Sequence, residues 1–272
     1  MKERIITAVV LAIVLLPLAV EPVSASPVIT VIFGLLAAIG TGEMLNCFQL
    51  LEKWMISVPL IVAAAIAPYF ARYLGRRDFV LYFAAVMFVL FFYTMTLAIW
   101  SKGRIRPEQS AACMMMVIYI ISGLCSAVFL RMLPDGYYLF FLIFIGAWVT
   151  DIFAYFCGML FGKHKLIEDV SPKKTVEGAV GGVVFTAAAY LIFGLIFARA
   201  DGFSVPLWSF PVLGVAASVV SQLGDLLMSL FKRQYGIKDY GKLFPGHGGV
   251  LDRFDSVISV APFLYLLCCV LH

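Results

Sequence analysis

Hydrophobic positions in this chain neither alternate nor recur on one face; they run on. Apolar stretches approaching the ~20 residues needed to cross hydrocarbon lie near 5–20, 28–45, 54–71, 79–100, 111–130, 137–160, 179–198, 205–231 and 256–271, with short polar segments between them. Inside a bilayer each segment must satisfy its own backbone N–H and C=O groups, so runs of this kind are helices. The pattern predicts an all-α fold: a polytopic transmembrane helical bundle of about nine helices. It forms a single integral-membrane domain over 1–272, with no stretch left over for a separate soluble domain. Residues 1–135 supply amino-terminal helices without an assignable role, and 136–272 carry the polar residues that matter below.

Composition agrees with that reading. The chain of 272 residues is 63% hydrophobic and 13% charged, with a mean hydropathy of +1.01, whereas a soluble domain carries about 25% charged residues. Met1-Lys-Glu-Arg4, the apolar core after it and Val23-Ser-Ala25 together have the layout of a cleavable secretory signal. A retained helix is favoured, because the core is long and the next segment is already membrane-bound. With the amino terminus inside, Lys and Arg collect on the cytosolic side and leave only Arg72, Arg76, Arg77, Arg131 and Arg199 outside. The Arg72–Arg77 cluster is the one local violation. The six cysteines show no C-x-x-C spacing and mostly sit in apolar runs, as small buried hydrophobes do. The three histidines are too scattered for a metal box. No internal repeat is visible, which argues against transporters built from duplicated halves.

Ionisable residues within membrane helices are costly and mark functional sites by default. Asp225 interrupts an apolar run, with Ser221 one turn before it, Ser229 one turn after and Lys232 beyond. At helical spacing these form one polar stripe, with Gln222 beside it. The alternative is a stripe of structural interhelical hydrogen bonds. The following loop gathers Lys232, Arg233, Lys238, Asp239, Lys242, Pro245-Gly-His-Gly-Gly249 and Asp252-Arg-Phe-Asp255. Glycines let backbone N–H groups approach an anion, and with the basic side chains the loop reads as a polyphosphate cradle. Asp225, Asp239, Asp252 and Asp255 offer hard oxygen ligands for a divalent cation such as magnesium. A loop that merely touches lipid headgroups would explain the basic residues but not the interspersed aspartates.

A second cluster is expected on the same side of the membrane. Asp151 and Tyr155 share a helical face with Gly158 and Gly162, whose spacing permits close helix packing. Ser171-Pro-Lys-Lys-Thr-Val-Glu-Gly178 then reads as a phosphate-binding turn opening a helix: Lys173 and Lys174 as counter-charges, Thr175 as donor, Glu177 in the first turn. An ordinary helix start with inside-positive lysines is the plainer alternative. Glu43, after Gly40 and Gly42, faces either the site or the interface.

Ser229, Lys232-Arg233, Lys238-Asp239, His247-Gly248-Gly249 and Asp252-Arg253-Phe254-Asp255 together resemble, without departure, the signature of the phosphatidate cytidylyltransferase family (CDP-diacylglycerol synthases). Asp151…Ala154-Tyr155…Gly158 and Ser171-Pro-Lys-Lys-Thr175…Glu177-Gly178 are similar to that family as well. The resemblance covers the carboxyl-terminal half; the first five helices match in hydropathy alone. It implies transfer of CMP from CTP to phosphatidate, giving CDP-diacylglycerol and pyrophosphate in phospholipid biosynthesis. It further implies Mg2+, held by Asp225 and Asp252, and a second, monovalent cation such as K+. Catalytic roles then fall to Asp225, Lys232, Asp252 and Asp255. Phosphate contacts fall to Lys173, Lys174, Thr175, Arg233, Lys238, His247, Gly248, Gly249 and Arg253, with Asp151, Tyr155, Glu177, Ser229 and Asp239 as further candidates. The implied setting is a bacterial cell (inner) membrane, with the active site facing the cytoplasm. Membrane lipids are the remaining partner; a homodimer is among the implied assemblies, and no nucleic acid is expected. Two other readings stand beside it. One is a lipid kinase or a cytidylyltransferase for another lipid, told apart by whether CDP or pyrophosphate is released. The other is an ion-coupled transporter, whose acids would sit near the midplane.

Overall fold

A computed structural model describes residues 28–133, 136–197, 206–244 and 248–271. Among these are eight helices: α1 (Val28–Cys47), α2 (Trp54–Tyr73), α3 (Arg76–Trp100), α4 (Pro107–Met132), α5 (Gly136–Phe161), α6 (Val176–Phe197), α7 (Ser209–Gln234) and α8 (Leu251–Leu271). All eight are long and apolar enough to cross a membrane. Each overlies one of the expected runs, with ends within about five residues of it. The run at 5–20, with the question of a cleaved signal, lies outside the described residues.

One departure from the all-helical expectation is local. Between α5 and α6 the chain makes a two-stranded antiparallel ribbon, β1 (Lys165–Ile167) with β2 (Ser171–Thr175). Pro172 has no N–H to donate and biases Ser171 before it towards extended backbone, and the segment around it carries the polar ends of a membrane loop. The Ser171–Thr175 stretch is therefore extended, and the helix begins only after Thr175.

The protein divides into two compact units. Among the described residues, the first comprises 28–129, 235–244 and 248–253, and the second 130–133, 136–197, 206–234 and 254–271. In the first, α1 packs on α2 and α2 on α3. Its core is made by Phe33, Met44, Leu45, Ile56 and Leu60, all essentially inaccessible. The polar connections at one end are tied by Lys53 Nζ donating to the Arg104 carbonyl at 2.6 Å. Tyr235 lies edge-on to Phe48, with ring centroids 4.8 Å apart.

In the second unit, α5, α6 and α7 pack mutually. Lipid tails give helices no hydrophobic reason to associate, so packing relies on close backbone approach and interhelical hydrogen bonds. Both are present. Gly158 of α5 and Gly162 just past its end meet Thr175 and, for Gly158, Gly178, while Gly181 and Gly182 meet Cys157 and Thr150. Thr150 and Thr186 hydroxyls pair at 2.9 Å, and the buried Tyr190 Oη donates to the Leu142 carbonyl at 2.6 Å. A Cβ added at Gly178 would stand 2.5 Å from the Ala154 carbonyl oxygen and 3.1 Å from Gly158 Cα. Both are backbone atoms that cannot turn aside. Gly178→Ala is expected to destabilise the protein by about 1–3 kcal/mol through overpacking, read as a lowered thermal midpoint in detergent, whereas Gly236→Ala meets no overlap and is strained instead by its φ of +67°.

Candidate active site

The second unit holds a constellation of acids and lysines drawn from four segments, α5, β2, α7 and α8. Asp225 projects from α7 among apolar neighbours, with its side chain 25% exposed. Its Oδ2 lies 2.6 Å from Lys174 Nζ, itself equally exposed, at the end of β2. Its Oδ1 accepts from Ser229 Oγ one turn on, at 3.3 Å. Ser229 and Lys174 are thus partners of one carboxylate, although one lies on Asp225's own helix and the other more than a helix away in sequence. On α8, Asp255 is 8% exposed and lies within electrostatic reach of Asp225, Asp151 and Lys232. Its Oδ1 accepts from the Ser256 N–H at 2.8 Å. Ser256 Oγ in turn meets the Ser221 carbonyl at 3.5 Å, so the α7 turn before Asp225 lies beside the α8 turn bearing Asp255. Ser221 Oγ is buried and has no hydrogen-bond partner among the described residues.

Three carboxylates with two lysines nearby is an anion-rich arrangement for a membrane-embedded unit. Carboxylates brought together repel, and burial of Asp255 adds a desolvation cost that an isolated anion would not survive unpaired. A cation relieves both. Among the described residues no three His, Cys, Asp or Glu side chains close into a cage of their own. Magnesium does not require one, since it takes one or two carboxylates and fills the rest with water and substrate phosphates. The oxygen-only chemistry of this set and the unpaired Ser221 hydroxyl both fit a hard cation.

The other predicted residues of this unit flank the cluster. Lys173 is exposed on β2, and Arg233 donates from Nε to the Val170 carbonyl at 3.3 Å, tying the end of α7 to the ribbon turn. Thr175 acts as an N-cap: its Oγ1 accepts from the Gly178 N–H at 3.1 Å. That satisfies a first-turn donor of α6, as capping hydroxyls do. Glu177 reaches back to accept from the Lys163 N–H at 3.1 Å and pairs with His164 Nδ1 at 2.7 Å. Its role here is to fold the chain end of α5 onto α6. Asp151 and Tyr155 are both exposed on α5, Tyr155 at 66%.

The first unit holds the glycine-rich loop. Phe244 and Gly248 exchange backbone hydrogen bonds at 2.9 and 3.1 Å, closing a tight turn. Gly248 has φ +86°, a left-handed conformation that favours glycine. His247 lies outside the described residues. Asp252 Oδ2 accepts from both the Tyr240 N–H at 2.8 Å and the Gly249 N–H at 2.9 Å. Glu43, arriving from α1, accepts from Val250 N–H and Leu251 N–H, each at 2.8 Å, through separate oxygens. The N–H groups of residues 248 to 251 are therefore all engaged, by the Phe244 carbonyl, Asp252 and Glu43. Lys238, Asp239 and Arg253 are exposed there.

Glu43 is the residue that sequence reasoning left open. Gly241 and Gly249 both pack on its carboxylate, where a Cβ on either would overlap it. The available signal was a glutamate inside an apolar run, a costly placement; nothing in the linear pattern named its partners.

Comparison with known proteins falls on the same chemistry. The sequence model of the Cytidylyltransferase family matches residues 2–271. A phosphatidate cytidylyltransferase of Staphylococcus saprophyticus is 36% identical over 273 residues, covering 98% of each chain. Those of Staphylococcus haemolyticus and Staphylococcus aureus are 34% and 33% identical, again with 98% of both chains covered.

Proposed function

Because this chain belongs to the Cytidylyltransferase family, we propose that it is a phosphatidate cytidylyltransferase, an integral-membrane nucleotidyltransferase that moves CMP from CTP to phosphatidate. The observation that carries the proposal is the cluster of Asp225, Asp255, Asp151, Lys174 and Lys232 in a membrane-spanning helical unit. It suits two anionic substrates, one of which stays in the bilayer.

In the reaction, an oxygen of the lipid phosphate bonds to the α-phosphorus of CTP. The bond from that phosphorus to the α–β bridging oxygen breaks, and pyrophosphate leaves with the electron pair. A phosphate monoester has its second pKa near ~6, so the nucleophile is already ionised and no side chain need remove a proton. What the protein must overcome is repulsion between two anions and the cost of orienting them. Lys232 and Lys174 supply positive charge beside the carboxylates, and Arg233 and Lys173 extend it outward for phosphate groups, while Lys238 is assigned to phosphate contact on the signature it belongs to. Ser229 holds the Asp225 carboxylate in orientation. Arg253 and His247 are assigned to phosphate contact on the signature they belong to.

Asp225 and, on the signature alone, Asp252 are the proposed magnesium ligands, and the metal when bound would neutralise phosphate oxygens and the departing pyrophosphate. A monovalent cation such as K+ accepts neutral oxygens as well, and Ser221 Oγ is the donor assigned to it. The Lys and Arg bias supports a site that faces the cytosol. A homodimer would be read from the mass of the detergent-solubilised particle.

The test gives purified protein radiolabelled CTP, phosphatidate and magnesium in mixed micelles. Lipid-extractable label and pyrophosphate should both appear, vanish with a chelator and return with magnesium. Release of CDP with phosphorylation of a lipid alcohol would instead identify a kinase.

A further inference from the structure

The first unit contains an apolar groove, of about 340 Å³, between α2 and α3. Its walls include Ala63 and Phe70 from α2, Leu74 at the turn, and Phe79, Phe83 and Met87 from α3. From Ala63 to Leu74 a helix rises roughly 16 Å, about half of the ~30 Å hydrocarbon core. The groove therefore runs from the α2–α3 turn to mid-membrane, the depth of one leaflet. At the turn, and nowhere along the walls, the chain carries Arg72, Arg76 and Arg77, with Asp78 as the one acid among them. Arg76 and Arg77 are exposed, and the Arg72 guanidinium lies 5.8 Å from the Tyr73 ring centroid. These are the arginines that break the charge bias of the other loops, and the proposed reaction gives them no task.

We propose that the α2–α3 hairpin binds one anionic diacylglycerophospholipid, its acyl chain in the groove and its phosphate at Arg72, Arg76 and Arg77. An open apolar channel of this size does not stay empty in a bilayer, since its lining would lose its contacts. Leaflet-deep length selects an acyl chain, and the arginines select a negative headgroup, as basic pockets between membrane helices do. A second copy of the chain fits less well. A two-fold axis along the membrane normal sets the arginines of both copies at one level, and like charges then meet wherever that axis passes close to the α2–α3 turn. The inference does not depend on the reaction proposed above.

The experiment is native mass spectrometry of the full chain in detergent, titrated with dioleoylphosphatidylglycerol or dioleoylphosphatidylcholine. Wild type should retain one phosphatidylglycerol at least about tenfold more tightly than phosphatidylcholine, given a severalfold contribution from each arginine. The R72Q/R76Q/R77Q variant should lose that preference while still holding phosphatidylcholine. Ala63→Leu, which fills the groove without touching the arginines, should weaken both lipids. Equal retention of the two lipids by wild type, or an unchanged preference in the triple variant, would overturn the site. So would Ala63→Leu dissociating a dimer with lipid retention unaltered, which would make this face an interface between copies.

Discussion

Asp225→Asn is expected to lower turnover by about a thousandfold, on the scale seen when one electrostatic stabiliser of a transition state is removed. The substitution changes charge and little else. The carboxamide keeps the shape of the side chain and can still accept from Ser229, which now lies 3.3 Å from Oδ1. It loses the ion pair with Lys174 at 2.6 Å and the anionic oxygen proposed for magnesium. Folding should survive, because an amide in place of a carboxylate beside Asp255 and Asp151 removes a like-charge repulsion. The measurement is lipid-extractable label from CTP per mole of monodisperse protein, at several magnesium concentrations. A wild-type rate at saturating magnesium would remove Asp225 from the chemistry. Lys174→Met in parallel should leave the carboxylate in place and change the response to phosphatidate more than the response to magnesium.

Glu43→Ala should be the most damaging substitution in the amino-terminal half. Two N–H groups at the start of α8, those of Val250 and Leu251, each own one oxygen of this carboxylate at 2.8 Å. Val250 and Leu251 are buried, so water does not readily replace the lost acceptor. An unsatisfied buried donor costs about 1–3 kcal/mol, so two of them are worth about 2–6 kcal/mol. Negative charge at a helix start adds a smaller contribution. Glu43→Gln should fall between, because one oxygen survives while an NH2 group now faces the second donor. Thermal unfolding in detergent should rank wild type above Gln and Gln above Ala. Activity should follow that order, since Asp252 enters the helix directly after Leu251. Unfolding midpoints equal to wild type for both variants would show that the loop does not lean on Glu43.

The places where sequence and structure part company share one physical cause. Ser171–Gly178 was expected as a phosphate-binding turn opening a helix; Ser171–Thr175 is extended, and Thr175 caps the helix that follows. Lys173 and Lys174 were expected as counter-charges for phosphate, and the sequence did not show that Lys174 also pairs with Asp225. Glu177 and Glu43 were visible as acids at helix ends, yet their partners, Lys163 with His164 and Val250 with Leu251, follow from how helices pack. The glycine loop was legible as a site of close backbone approach. Which atoms approach it was not: Asp252 and Glu43 accept from the N–H groups of residues 249 to 251.

By itself the amino-acid sequence determined the membrane-spanning helices. Hydrocarbon demands internal backbone satisfaction over a set length, and that demand is written in consecutive residues. The costly acids and the basic loops were equally readable, because the penalty for a charge in a membrane attaches to the residue and not to its neighbours. Tertiary structure alone decided which charge meets which. An ion pair across 51 residues of chain, from Lys174 to Asp225, or a clamp across 207, from Glu43 to Val250, depends on helix rotation and register, which a near-uniform apolar surface leaves unmarked in the chain.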